Sequence, residues 1–138
     1  MTSLLHMSTK VHYGLMFLSR LSSCYQKGVF ISLQEFSLET GFVSGGYLEE
    51  IVCLLRKNKI VKAKRGAKGG YQLTKHPKEI SMKKIIEVLE NSSKQLPCQS
   101  SQCSMGSTCT LKKFWDELQE ILDQKLEETT LQDLLLSF

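Results

Sequence analysis

Two short apolar runs joined by a basic, glycine-rich turn constrain this chain more than any other feature. Ile60-Val61 and Tyr71-Gln72-Leu73 are rich in β-branched and aromatic residues and read as strands. Between them Arg65-Gly66-Ala67-Lys68-Gly69-Gly70 has the glycine needed to reverse the chain, which predicts a hairpin tip. Lys59, Lys62, Lys64, Arg65 and Lys68 crowd into the same hairpin. An isolated two-stranded hairpin is marginal in water, so helices must supply its core.

The preceding residues supply them. Val11, Leu15, Leu18 and Leu21 form a helical apolar stripe, capped by Ser8 or Thr9 and running to about Cys24, before Lys27-Gly28. A second short helix fits Leu33 to Glu39, with Ser32 as its cap and Thr40-Gly41 as its break. A third begins near Ser44 and carries Leu48, Ile51, Val52 and Leu55 on one face, after the tight link Gly41-Phe42-Val43. After the hairpin, Pro77 breaks the chain, and Ser81 caps a fourth helix holding Ile85, Ile86 and Leu89. Helix, turn, helix, basic hairpin is the winged-helix arrangement. The fold class is therefore mainly α with a small β-hairpin wing.

Charge divides the chain along the same line. Residues 1–84 hold 14 Lys and Arg against 5 Asp and Glu, whereas residues 85–138 hold 4 against 9. A basic first part suits a polyanion and an acidic second part suits another task. Residues 91–109, NSSKQLPCQSSQCSMGSTC, are polar and small with no periodicity, which predicts a long loop of functional kind. A long amphipathic helix follows, with Leu111, Phe114, Trp115, Leu118, Ile121, Leu122, Lys125 and Leu126 along its stripe, then Thr129-Thr130 and a short apolar tail. Three units result: residues 1–90 as a winged helix-turn-helix domain, 91–109 as a cysteine-bearing sensor loop, and 110–138 as a dimerisation helix and tail.

A helix of the third helix's length fits the major groove of double-stranded DNA, where each base pair displays its own donor and acceptor pattern. Ser44, Gly45, Gly46, Tyr47 and Glu49 fall at the groove end of that helix. A carboxylate among phosphates is costly unless it accepts from cytosine N4, so Glu49 either reads that base or is simply solvated. Arg65 and Lys68 on the glycine-rich tip suit a minor groove or a phosphate clamp. Arg56 and Lys57 suit phosphate contact or the end of the helix.

The chain has five cysteines, an odd number that speaks against a disulfide framework and for free, ligating or reactive thiols. Cys98, Cys103 and Cys109 follow the pattern C-x4-C-x5-C in the small-residue loop. Thiolates bind soft metals and iron–sulfur clusters. Zinc sites more often use closely spaced pairs, so a cluster fits better, with one ligand still to be found. Zinc or metal-free thiols remain the alternatives. Cys24 and Cys53 read as small buried apolar residues.

The sequence resembles the Rrf-type transcriptional regulators over nearly its whole length. The resemblance rests on STKVHYGL at residues 8–15, YLEEIVCLLRKNKIV at 47–61, RGAKGGYQL at 65–73, and the cysteine loop followed by Phe114-Trp115. It implies a homodimer crossed by long C-terminal helices, with the third helix and the wing on a DNA operator, and often a cluster held by three cysteines. By position, Ser44, Gly46, Tyr47 and Glu49 match the base-reading segment and Arg65 the wing residue of the minor groove. Cys98, Cys103 and Cys109 match the cluster ligands, whether the cluster is 2Fe-2S or 4Fe-4S. Two departures stand out. The first cysteine gap is one residue shorter than in the cluster-binding members, and Lys112 stands where some carry a histidine ligand. A protonated ammonium has no lone pair. His12 matches an aspartate ligand of the nitric-oxide-sensing members, so His12 of the opposite subunit is a candidate fourth ligand; phosphate contact or helix capping is the competing role.

Other classes find little support. No nucleophile–base pair, phosphate-cradling glycine motif or paired carboxylates appear at useful spacing, which argues against an enzyme. No secretory leader is evident, and no apolar run approaches the roughly 20 residues a membrane helix needs. The expected location is the cytoplasm.

Overall fold

The computed structural model describes residues 7–41, 45–90, 104–105 and 108–135. Helix α1 spans Thr9–Ser23, and Ser8 caps it by accepting the Val11 N–H at 3.3 Å. Helix α2, Leu33–Thr40, starts with a reciprocal cap: Ser32 Oγ accepts the Glu35 N–H at 3.1 Å, and Glu35 Oε2 accepts the Ser32 N–H at 2.8 Å. It ends where the Gly41 N–H returns to the Ser37 carbonyl. Helix α3 spans Gly45–Lys57 and buries Leu48, Ile51, Val52 and Leu55, the four residues that its periodicity picks out.

The hairpin follows at once. Strands β1, Val61–Lys64, and β2, Gly70–Leu73, pair antiparallel with Val61 opposite Leu73 and Lys64 opposite Gly70. Ile60 is not part of the strand. Its N–H goes to the Leu55 carbonyl at 2.9 Å, closing α3 instead. The wing also gains a third edge that periodicity does not announce: Ile31 and Tyr71 exchange both backbone hydrogen bonds, at 2.9 and 2.8 Å. Gly70 makes this possible. Its φ is +140°, and a Cβ there would come within 2.5 Å of the Ile31 carbonyl.

A short 3-10 turn at Pro77–Glu79 leads to α4, Met82–Glu90, whose first turn is capped by Ser81. Helices α1 and α4 approach closely because residue 14 is glycine; a Cβ there would meet Leu89 Cδ1 at 2.5 Å. Val11, Phe17, Leu18, Leu21, Leu48, Ile51, Leu55, Ile85 and Leu89 form the centre of the core.

Helix α5, Thr110–Glu128, contains no fully buried residue. Leu111, Phe114, Leu118 and Ile121 stand exposed along one stripe, while Trp115, Leu122 and Leu126 are half-buried. The apolar tail that follows forms α6, Leu131–Leu135, and folds back onto the first unit. Leu131 is fully buried in its core, the Leu131 N–H reaches the Ile80 carbonyl at 2.9 Å, and the Met82 N–H reaches the Thr129 carbonyl at 2.8 Å.

Candidate nucleic-acid interface and cysteine residues

Burying one face of α3 dictates what the other presents. Gly46, Glu49, Glu50, Cys53, Arg56 and Lys57 are exposed. Glu50 is neutralised by Lys10 of α1, Nζ to Oε1 2.9 Å. Glu49 has no ion-pair or hydrogen-bond partner among the described residues, so its carboxylate is free to accept from a ligand. Tyr47 is half-buried, its ring edge-on to Tyr13 at 6.0 Å, so it supports the helix as much as it faces outward. Ser44 lies outside the described residues. Arg56 and Lys57 sit in the last turn, where cations complement the helix dipole.

The wing presents Lys62, Lys64, Arg65 and Lys68 to solvent. Its tip is closed by the Gly69 N–H on the Gly66 carbonyl at 3.0 Å. Lys64 Nζ lies 5.5 Å from the centre of the Phe30 ring, a cation–π contact that ties β1 to the third edge. Helix face and wing are adjacent in sequence, since β1 begins four residues after α3 ends. The resulting surface can place a helix on base edges and cations on phosphates.

The cysteines divide differently from the expectation. Cys53 is exposed on α3, not buried: its place four residues beyond Glu49 puts it on the outward face, opposite Ile51 and Leu55. Cys24 is buried as expected but is not merely apolar packing. Arg20 Nη1 lies 2.7 Å from its Sγ, and the same guanidinium holds Glu39 of α2 through Nε and Nη2, at 2.7 and 2.8 Å. Glu39 in turn is the largest cause holding the Arg20 guanidinium above its ordinary pKa, and Arg20 holds the Glu39 carboxyl below the usual range. Nothing in the local pattern announces this triad, because Arg20 and Glu39 are nineteen residues apart.

Cys98 and Cys103 lie outside the described residues. Cys109 is half-buried at the N-cap of α5, and its side chain makes no capping bond. His12 is exposed on α1, its ring edge-on to Tyr13 at 5.4 Å, and Ser8 rather than His12 caps that helix. Among the described residues, no three His, Cys, Asp or Glu side chains gather as a metal would require. Lys112, one turn into α5, is paired with Asp116 at 2.6 Å. No helix among the described residues is long and apolar enough to cross a membrane.

Comparison with known proteins places this geometry. Residues 7–136 match the Rrf2 family, described as an iron-dependent transcriptional regulator. The chain is 33% identical over 127 residues to the HTH-type transcriptional regulator CymR of Bacillus subtilis, covering 92% of this chain and 87% of that protein. The solved structure of B. subtilis CymR, a global cysteine regulator, matches at TM-score 0.81 and 30% identity over 98% of this chain and 99% of that one. IscR of T. potens matches at TM-score 0.77 and 31% identity over 97% and 88%. The oxidised form of Staphylococcus aureus CymR matches at 0.72 and 33% over 95% and 96%. These relatives are regulators, not enzymes. With its helix-turn-helix, its wing and this match along nearly its full length, the chain belongs to the Rrf2 family of DNA-binding transcriptional regulators.

Proposed function

We propose that the protein is a homodimeric repressor whose affinity for a double-stranded DNA operator is set by an iron–sulfur cluster held at Cys98, Cys103 and Cys109. The observation that carries the reading is the C-x4-C-x5-C loop delivering its last thiol to the N-terminus of the nineteen-residue helix α5. The Cys109 side chain is not spent on capping that helix, so its sulfur is available as a ligand. Three soft anionic donors suit a cluster, which would supply a redox- or ligand-sensitive link between loop and helix. His12, exposed on α1, is the proposed fourth ligand from the opposite protomer. The exposed stripe of α5 is the proposed dimer contact, so the loop and the subunit interface share one helix.

In DNA binding, Ser44, Gly46, Tyr47 and Glu49 lie toward the base edges, with Glu49 accepting from cytosine N4. Arg56 and Lys57 meet phosphates, and Arg65 and Lys68 carry the wing to the minor groove. A visible spectrum of anaerobically purified protein tests the cluster. Charge-transfer bands lost in Cys103→Ala support it, whereas a colourless protein with stoichiometric zinc overturns it.

The Arg20–Cys24 contact supports a second reading, a thiol sensor without a cluster. Oxidation of the Cys24 thiol by a peroxide to a sulfenic acid, with release of water or alcohol, changes the partner of a guanidinium that also holds α2. A solved structure of S. aureus CymR, 33% identical to this chain, is of an oxidised form, which is in keeping with a redox reading. Peroxide-dependent loss of DNA binding that vanishes in Cys24→Ser, in a colourless protein, selects this reading.

A further inference from the structure

We propose that Lys10 is a specificity-determining residue for DNA recognition, although it does not touch DNA. By holding the Glu50 carboxylate, it leaves Glu49 as the one carboxylate of α3 able to accept from a base. The inference rests on the reading of α3 as the base-facing helix.

Glu49 and Glu50 are neighbours on the exposed side of α3. On a helix, a side chain meets those three and four positions away, and none of these is a cation for either glutamate. Helix α3 therefore cannot neutralise its own carboxylates. Two uncompensated charges facing a duplex would both be repelled by its phosphates. Successive residues of a helix also point about 100° apart, so two free carboxylates would present acceptors to different base positions.

The compensating charge comes from α1. Lys10 and Tyr13 lie one turn apart on α1 and meet Glu50 and Tyr47, which lie one turn apart on α3. Lys10 Nζ stands 2.9 Å from Glu50 Oε1, and the Tyr13 ring is edge-on to Tyr47 at 6.0 Å. The Lys10 side chain is only 28% exposed against 60% for Glu50, so its stem lies along the protein and delivers the ammonium outward. Lys10 also occupies the first turn of α1, where the helix dipole disfavours a cation. Local helix energetics do not account for a lysine there, whereas the cross-helix pair does. An ion pair this exposed adds little to stability, so its consequence lies in the charge that α3 presents. Glu50 is masked, and Glu49, with no partner among the described residues, is not.

The test uses the full chain, a fluorescein-labelled duplex of mixed sequence for anisotropy, and sequencing of the duplexes retained from a random pool. Lys10→Met should leave heat unfolding nearly unchanged, weaken the mixed duplex about tenfold, and change the base preferences of the retained pool. Adding Glu50→Gln to Lys10→Met should restore both affinity and preferences, and Lys10→Arg should keep both. The double variant should also keep the wild-type salt slope, whereas loss of a direct phosphate contact would lower it by about 1. A Lys10→Met defect that Glu50→Gln fails to repair, or a retained pool that Lys10→Met leaves unchanged, would overturn the inference. If Arg65→Ala weakens binding while Lys10→Met does nothing, the masking role alone is wrong. A wild-type pool with no preferred base overturns the base-facing reading of α3 and the inference with it.

Discussion

Ile121→Ala should break the proposed dimer while strengthening the helix that carries it. Ile121 is 64% exposed in the isolated chain, on a stripe with Leu111, Phe114 and Leu118. Full burial of such a side chain is worth about 1.5–3 kcal/mol, so the part still exposed here is worth about 1–2 kcal/mol. A two-fold axis uses the residue twice, which doubles the loss to about 2–4 kcal/mol per dimer. At about 1.4 kcal/mol per decade, the dissociation constant should rise on the order of 30- to 1,000-fold. Alanine is the better helix former, so α5 itself gains slightly. Sedimentation equilibrium of wild type, Ile121→Ala and the control Gln119→Ala measures this directly. A dimer as tight in Ile121→Ala as in wild type would refute the assignment of the stripe and move the interface elsewhere.

Three further outcomes follow from particular contacts. Leu131→Ala should cost about 2–5 kcal/mol in urea unfolding, as a fully buried leucine does, and a near-zero change would mean that α6 does not hold the core in solution. Because Arg20 depresses the Glu39 pKa, this pair stabilises the fold above the ordinary carboxylate range and loses its effect as pH falls through the lowered folded value. Both side chains are partly exposed, so Glu39→Gln should cost at most about 1 kcal/mol at neutral pH and nothing in strong acid; an equal gap at both pH values would contradict the pairing. In DNA binding, Arg65→Ala should weaken operator and scrambled duplexes alike, whereas Glu49→Ala should relax one base preference by about 1–3 kcal/mol, as fluorescence anisotropy would resolve.

Much of the fold is legible in the sequence. Each helix of the reading unit has strong local punctuation: Ser8, Ser32 and Ser81 as caps, and the spacing of Leu48, Ile51, Val52 and Leu55. The hairpin was legible from glycine placement. What escaped depends on residues far apart in sequence. Ile31 joins the wing through Tyr71, Lys10 removes Glu50 from the outward charge, and Arg20 links Cys24 to α2. Cys53 departs from the expectation for a different reason: its type suggests burial, but its spacing from Glu49 places it on the outer face. The tail reads as apolar in the sequence, yet only tertiary packing shows that Leu131 completes the core of the first unit. Deleting everything from Thr110 therefore perturbs the DNA-reading unit as well as any dimer, and point substitutions on α5 are the cleaner probe.

The return of α6 also sets an order of events during synthesis. Strands β1 and β2 and helices α1 to α4 are all translated by residue 90, yet the core position filled by Leu131 stays empty until some forty residues more have left the ribosome. A nascent chain halted anywhere in the cysteine loop or in α5 carries a reading unit short of its last core residue. Full stability thus arrives only once the loop and the long helix have both been made, and a shorter product carries a winged helix that lacks the contribution of Leu131.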